Sequence, residues 1–167
     1  AFYRAGGLVS IKPIWLKSLL ITENAEMSTH LERISGIAEA MLNEHQPNNK
    51  DCLVVVSNSG RNAYGIELAI TAKSMGCNTV ALTSIQHSSN VESRHSSGKR
   101  LFELCDIIID SHVPLGDATM NHPNFKENFG PVSTISTVAI FNAVICRTIE
   151  ILIENKQHPE VLKSANL

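Results

Sequence analysis

The sequence lacks several features that would each define a class of protein. Its formal net charge is only −2, which argues against binding nucleic acid through bulk charge. No uninterrupted apolar run approaches the length of a membrane span, and the first residues show no signal-peptide pattern. The patterns GxxxxGK[ST] and GxGxxG are both absent, which makes nucleotide hydrolysis and dinucleotide binding poor hypotheses.

Cysteines are few and widely separated. They are Cys52, Cys77, Cys105 and Cys146, and none belongs to a CxxC or Cys/His spacing that would hold a metal. Three of them stand beside apolar runs, where a free thiol packs as a small hydrophobic side chain. We therefore expect reduced cysteines and a cytoplasmic protein.

The composition is that of one folded domain. The chain has 167 residues, of which 43% are apolar and 18% are charged. It opens at Ala1, without a methionine or a helix start signal. We therefore expect residues 1–167 to form a single domain that is incomplete at its N-terminus.

Short apolar runs alternate with helical patterns along the chain. The runs Cys52–Val56, Thr79–Leu82 and Ile107–Ile109 show no polar alternation, which is typical of strands covered on both faces. Helices are predicted over residues 28–45, 62–75, 99–104 and 133–154, a weak strand near 8–14, and a loop over 111–131. This order predicts an α/β fold with a parallel sheet between layers of helices.

The last predicted helix, residues 133–154, is apolar around nearly its whole circumference. Such a helix is usually buried on nearly all sides. In so small a domain, this pattern favours a second subunit that covers part of the helix.

Polar residues follow each of the predicted strands. The first strand ends in Ser57–Gly60, the second in Thr83-Ser84, and the third in Asp110-Ser111-His112. In open parallel sheets the ligand lies beyond the carboxyl ends of the strands. The three ends together therefore predict one polar binding rim.

The stretch SNSGRN, Ser57–Asn62, leads from the first strand into a helix. The first backbone N–H groups of a helix lack partners, and the helix dipole favours an anion there. Hydroxyl groups at Ser57 and Ser59 add donors, and Gly60 allows close approach of the backbone. Alternatively, Ser59 or Asn62 simply caps the helix. Local sequence leaves a phosphate cradle and a plain cap equally favoured.

Residues Cys52–Asn62, followed by Glu67, Ala72, Gly76 and Val80–Ser84, resemble the SIS (sugar isomerase) domain. The resemblance lies in a strand, a Ser-x-Ser-Gly turn, a helix, a glycine and a strand ending in threonine. Further blocks resemble an uncharacterised phosphosugar-binding branch of that superfamily: RAGGL (4–8), LER (31–33), SRHSSGKRL (93–101), Gly116-Asp117-Ala118 and Ser164-Ala165-Asn166.

The resemblance implies a three-layer sandwich with a parallel sheet of roughly five strands. It also implies a phosphosugar ligand and a homodimer or homotetramer with sites near subunit interfaces. The positions that match phosphate-holding side chains, or belong to the same rim, are Ser57, Asn58, Ser59, Gly60, Asn62, Thr83, Ser84, Arg94 and His112. The helix and glycine-rich strand end with which SIS domains begin do not occur in the sequence, in agreement with the expected missing segment.

Two residues are candidates for proton transfer in an aldose–ketose isomerase, which needs a base. His95 lies among cations in SRHSSGKRL, which suits ring opening or proton transfer, and the alternative is a solvated basic loop. Glu32 is the second candidate, although Thr29 and Glu32 also fit a capping box. Glu67 is expected at the solvent or at a subunit interface.

We therefore predict a phosphosugar-binding protein of carbohydrate metabolism, either a sugar-phosphate isomerase or a related phosphosugar-processing enzyme. It is expected to need no metal or other cofactor, and to bind neither nucleic acid nor a membrane through this chain. The alternative is a sensor that binds a phosphosugar without converting it. A third and weaker hypothesis is a structural fragment with an incomplete pocket.

Overall fold

The computed structural model describes residues 3–164. Two compact units divide the chain. The sheet unit comprises residues 15–133, and the terminal unit comprises residues 1–14 together with 134–167. The last residues of the SAN block, Ala165 and Asn166, lie outside the described residues.

A parallel sheet forms the centre of the sheet unit. Its strands are β1 (Cys52–Val56), β2 (Asn78–Thr83) and β3 (Ile107–Asp110), in that order. The three apolar runs are thus confirmed as parallel strands. Residues 3–164 supply three such strands, so the predicted number of about five is not confirmed.

Helix α3 (Ala63–Ser74) crosses from the end of β1 to the start of β2 and packs on both strands. It buries Ala63, Ile66, Leu68, Ala69 and Ala72, which lie on more than one side of the helix. Gly76 follows the helix with φ +80°, as the predicted stop at this glycine requires.

Two helices replace the single one predicted over residues 28–45. Helix α1 (Ala25–Leu31) begins after Asn24, whose side chain accepts the Met27 N–H at 2.9 Å. Helix α2 (Ile37–His45) begins after Gly36. The φ of +91° at Gly36 interrupts the helical path, which explains the split.

The proposed capping box at Thr29 and Glu32 is wrong. Thr29 lies inside α1, and its hydroxyl donates to the Ala25 carbonyl at 3.0 Å. Glu32 follows the last residue of α1 and is therefore at the opposite end of the helix from a capping box.

The segment predicted as a loop over residues 111–131 contains an antiparallel hairpin. Its strands are β4 (Ala118–His122) and β5 (Phe125–Pro131). Most of their side chains are exposed, so the strands carry no apolar run that sequence reasoning could detect. Elsewhere, the predicted helix over residues 99–104 is a single 3₁₀ turn, and a short helix, α4 (Ile85–Ser89), follows β2.

In the terminal unit, α5 (Ser133–Glu154) has the bounds predicted from the sequence. The chain termini are joined in antiparallel fashion, with Gly6 N–H donating to the Leu162 carbonyl at 2.8 Å and Leu162 N–H to the Gly7 carbonyl at 2.9 Å. The predicted strand near residues 8–14 reduces to one bridge between Leu8 and Val161.

Much of α5 is exposed in the single chain. Ile145 is buried, whereas Ile135 and Ile153 are 73% and 59% exposed. By length and composition α5 is also able to cross a membrane, with 22 residues and a mean hydropathy of 1.7. That criterion is weak, because core helices of water-soluble proteins satisfy it as well.

Candidate anion-binding site

The three strand ends form one edge of the sheet, as predicted. Ser57 N–H donates to the Leu82 carbonyl at 3.1 Å, and Ser84 N–H donates to the Asn58 carbonyl at 3.1 Å. Ser111 N–H donates to the Thr83 carbonyl at 2.8 Å, which continues the edge to β3. The polar residues that follow the strands are therefore neighbours in space.

A tight turn at Gly60 shapes the loop after β1. Gly60 has φ +55°, and a Cβ there would lie only 3.1 Å from Leu101 Cβ and 3.2 Å from both Ser88 Oγ and Thr83 Oγ1. Both facts require glycine. The Ser57 hydroxyl accepts the Gly60 N–H at 3.2 Å.

Thr83 supports this loop from inside the protein. Its side chain is almost completely buried, and its hydroxyl donates to the Asn58 carbonyl at 3.2 Å. The position of Thr83 thus fixes the Ser57–Gly60 backbone.

The N-terminus of α3 is not closed by a side-chain cap. Asn62 is the N-cap residue, yet its side chain makes no capping bond and instead accepts Arg94 Nη1–H at 3.0 Å. Within residues 3–164, the backbone N–H groups of Ser59, Arg61 and Asn62 have no hydrogen-bond acceptor. The loop just before α3 therefore presents donors without acceptors among residues 3–164, and the Asn62 side chain does not cap the helix.

Arg94 lies beside this turn, and Arg61 and Arg33 are close enough for their charges to act on it. Burial, followed by the charges of Arg61 and Arg33, lowers the pKa of Arg94 below its usual value, while Glu32 opposes the shift. In the part of the chain that the structure describes, none of these arginines has a carboxylate within ion-pair distance. Positive charge therefore predominates beside the loop, although Glu32 offsets part of it.

Sequence reasoning named Arg94 but missed Arg33 and Arg61. Arg61 lies inside SNSGRN, and Arg33 ends the LER block, so both signals were present. Arg61 Nε donates to the Glu92 carbonyl at 2.7 Å, and Arg94 N–H donates to the Arg61 carbonyl at 2.8 Å. These bonds hold the segment with the SRHSSGKRL block against the loop after β1.

His95 is enclosed rather than presented to a ligand. Its side chain is 11% exposed, and its Nε2 lies 3.7 Å from Glu67 Oε1. Its Nδ1 lies 2.8 Å from the Ser97 hydroxyl and 3.3 Å from the Ser97 backbone nitrogen, which donates to it. Nδ1 is therefore hydrogen-bonded, and Nε2 faces the Glu67 carboxylate.

Glu67, expected at the solvent or at an interface, is 15% exposed and bridges two segments. Its Oε2 accepts the Gly36 N–H at 2.7 Å, while its Oε1 faces His95. Sequence reasoning missed this bridge because Gly36 and His95 are distant from Glu67 along the chain.

His112 has the opposite environment. Its side chain is 86% exposed, and its Nδ1 lies 3.2 Å from Asp110 Oδ2. Its backbone has φ +53°, and its N–H donates to Asp110 Oδ1 at 2.9 Å. His112 thus lies on the predicted rim, with Nδ1 beside Asp110 and with no partner for Nε2 in the part of the chain that the structure describes.

The remaining predicted residues have mainly backbone or capping contacts. Glu32 accepts the Tyr64 N–H through its carbonyl at 3.0 Å. Ser84 is fully buried and caps α4, where its hydroxyl accepts the His87 N–H at 2.9 Å. The Asn58 amide lies 3.3 Å from His87 Nδ1, which places His87 beside the loop rather than at a remote surface.

Two buried hydroxyls near this edge, at Ser88 and Ser111, have no hydrogen-bond partner among the described residues. Beside the segment that follows Ser88, a cavity of about 580 Å³ is lined by residues 89–93, Gly98 and Arg100. Because none of Ser57–Asn62 lines it, we do not assign the anion to this cavity. Residues 3–164 contain no cluster of His, Cys, Asp or Glu suited to a metal ion.

The fold and its edge define an α/β domain with a ligand-binding rim at the carboxyl ends of parallel strands. Comparison with known proteins specifies the family. The SIS domain profile matches residues 1–84. This chain therefore belongs to the SIS domain family, and the predicted family is confirmed.

Several UPF0309 proteins are similar to the chain along nearly its whole length. One from Geobacillus kaustophilus is 42% identical over 166 residues, which cover 99% of this chain and 66% of that protein. Others, from Geobacillus thermodenitrificans and Halalkalibacterium halodurans, are 40% and 38% identical, again over 99% of this chain and over 67% and 69% of those proteins. The chain thus spans about two thirds of the length of these relatives, whose names state no activity.

Proposed function

We propose that the protein binds a phosphorylated sugar at the carboxyl edge of its sheet, with the phosphate against the loop Ser57–Asn62 that leads into α3. The observation that carries this proposal is the combination of free backbone donors at Ser59, Arg61 and Asn62 with three arginines that lack ion-pair partners. Positive charge beside free N–H groups at the start of a helix favours binding of an anion there. Membership of the SIS family supports the same ligand class.

In this proposal the hydroxyls of Ser57 and Ser59 donate to the phosphate along with the free N–H groups. Arg94, which Asn62 orients at 3.0 Å, supplies a charge-assisted hydrogen bond. Gly60 and Thr83 give the loop its shape and need no direct contact. The sugar then extends over the ends of β2 and β3, toward Asn58 and His112, whereas the buried Ser84 hydroxyl serves to cap α4.

The reaction class we propose is aldose–ketose isomerisation or a related conversion of a phosphosugar. Such chemistry needs a base and does not require a redox group. We further propose a cytoplasmic homodimer or homotetramer, because the exposed apolar side chains of α5, such as Ile135 and Ile153, favour cover by a second subunit.

The binding proposal is tested with a panel of hexose and amino-sugar phosphates and with inorganic phosphate, by thermal shift and calorimetry. We expect stabilisation by at least one phosphosugar and more than a tenfold loss of affinity in Ser57→Ala/Ser59→Ala. Ser10→Ala/Ser18→Ala, in exposed positions, is the matched control and keeps wild-type affinity. Equal binding by the two double variants contradicts the proposal.

A second candidate function is a phosphosugar sensor without turnover. The enclosure of His95, whose Nδ1 is hydrogen-bonded and whose Nε2 faces Glu67, favours this alternative because the residue offers no free base. The two functions differ in one measurement. A sensor binds the phosphosugar without exchanging its carbon-bound protons with solvent, whereas an isomerase exchanges them.

A further inference from the structure

We propose that His112, aligned by Asp110, is the residue that carries the proton in the reaction. This inference rests on the proposed isomerase function. It assigns the base to a different histidine from the one that the sequence favoured. Asp110 is the positioning residue in this pair, since it acts through His112.

The side chains of His112 and His95 differ widely in exposure. The His112 side chain is 86% exposed, whereas that of His95 is 11% exposed. His95 accepts the Ser97 N–H at Nδ1, so its one lone pair in the neutral ring is occupied. His112 has one ring nitrogen against Asp110 and the other without a partner among residues 3–164.

The Asp110 carboxylate favours one tautomer of His112. A carboxylate accepts but cannot donate, so Asp110 Oδ2, 3.2 Å from Nδ1, favours the proton on that nitrogen. In the neutral ring the lone pair is then on Nε2, which faces away from Asp110. An aligned imidazole with this tautomer is the form that acts as a general base.

The backbone of His112 has an uncommon conformation. Its φ of +53° is in the left-handed region, where glycine and asparagine are favoured over other residues. Asp110 Oδ1 stabilises this turn by accepting the N–H groups of His112 at 2.9 Å and Ile85 at 3.1 Å. One carboxylate therefore fixes both the backbone and the ring of His112.

The location of His112 on the sheet edge also fits this role. In the sheet, Asp110 of β3 pairs with Thr83 of β2. Ser57 follows β1, which lies on the other side of β2. Two strand spacings separate the β1 and β3 ends, or roughly 10 Å. That distance is comparable with the length of a hexose 6-phosphate, so a ligand with its phosphate at α3 brings its other end near His112.

The proposed step is a proton transfer within the sugar. Nε2 of His112 takes the proton from C2 of the open-chain aldose as that C–H electron pair forms the C1–C2 double bond, and the carbonyl oxygen at C1 takes a proton from solvent. The imidazolium then returns its proton to C1 while the C2 hydroxyl releases its proton and becomes the ketone carbonyl. Atoms and electrons balance, and the ketose is an isomer of the aldose.

The test measures deuterium exchange at C2 of glucose 6-phosphate and glucosamine 6-phosphate, and at C1 of fructose 6-phosphate, by proton NMR in D₂O. His112→Asn is the chosen variant because asparagine accepts the left-handed backbone. We expect exchange to fall at least about 100-fold while inorganic phosphate binds within about twofold of wild type. Added imidazole partly restores exchange in His112→Ala.

Two further variants separate positioning from structure. Asp110→Asn keeps an oxygen for the N–H groups of His112 and Ile85, so we expect kcat to fall while KM changes little. Asp110→Glu restores part of that loss. His158→Asn, an exposed histidine of the terminal unit, behaves as wild type.

The outcomes distinguish this inference from the proposed function. Phosphate binding without exchange by the wild-type protein overturns the role of His112 and leaves the binding proposal standing. Loss of exchange in His95→Gln with normal exchange in His112→Asn overturns it in favour of His95. Failure of the wild-type protein to bind phosphate removes both proposals.

Discussion

The charged side chains at the two ends of the parallel sheet differ in their partners. At the amino end, Asp106 is surrounded by donors: its Oδ2 accepts the Thr79 N–H at 2.9 Å and the Thr79 hydroxyl at 2.7 Å, and its Oδ1 lies 2.7 Å from Lys73 Nζ. At the carboxyl end, the charges of Arg33 and Arg61 act on Arg94, and among the described residues none of the three arginines has a carboxylate within ion-pair distance.

The pKa values reflect this difference. Hydrogen bonds from Lys73 and Thr79 lower the pKa of Asp106 from 3.8 to about 2, which is a favourable effect of partners on the charged form. Burial and like charges lower the pKa of Arg94, which is an unfavourable effect on its charged form. The amino end thus contributes stability, whereas the carboxyl end is prepared for an anion.

The largest expected effect is on binding at the carboxyl end. Arg94→Met removes a charge-assisted donor, and we expect inorganic phosphate affinity to fall about 10- to 100-fold, measured by calorimetry. The Tm stays equal or rises, because repulsion from Arg61 and Arg33 is relieved.

The matched control is Lys73→Met at the amino end. It removes the ion pair to Asp106, so it lowers the Tm and leaves phosphate affinity unchanged. If both variants lost stability and neither lost affinity, the contrast between the two ends would be invalid.

An intermediate effect is expected from Gly60→Ala. The φ of +55° and the three contacts at 3.1–3.2 Å predict destabilisation of about 1–3 kcal/mol in urea unfolding, together with weaker phosphate binding. Gly98→Ala is the control, because Gly98 also has positive φ, +69°, but nothing within 4 Å. Equal losses in the two variants would show that the close packing around Gly60 has no effect of its own.

The smallest effect is expected from Asp106→Asn. The folded pKa of about 2 is below the ordinary 3.8, so the stabilisation is complete above about pH 4 and is lost as the pH falls toward 2. The Tm of the variant is therefore a few degrees lower than wild type near neutrality, and the two Tm curves converge toward pH 2. A constant difference across this range would exclude ionised Asp106 as the cause.

Local sequence was sufficient where hydrophobic runs or strong stop signals define an element. β1 (Cys52–Val56) and α5 (Ser133–Glu154) have their predicted bounds, and β2 and β3 differ by a residue or two. Uninterrupted β-branched runs and a long apolar helix are strong local signals. The split at Gly36 and the hairpin β4–β5 were missed, because a single glycine and two exposed strands change that pattern little.

The site was predicted in part. The rim and the loop Ser57–Asn62 follow from local sequence, since strand ends and helix starts are local features. The contacts Arg94–Asn62 and His95–Glu67 join residues about thirty positions apart. The orientation of the Asp110 carboxylate toward His112 also depends on the folded structure. Periodicity carries no information on such pairs, so the enclosure of His95 and the exposure of His112 became visible only in three dimensions.

The central claim is tested most directly by a crystal structure of the protein with inorganic phosphate or a hexose 6-phosphate. We expect phosphate oxygens within hydrogen-bonding distance of the N–H groups of Arg61 and Asn62, with Arg94 in contact. Phosphate bound elsewhere, or an empty Ser57–Asn62 loop at saturating ligand in solution, would contradict the claim.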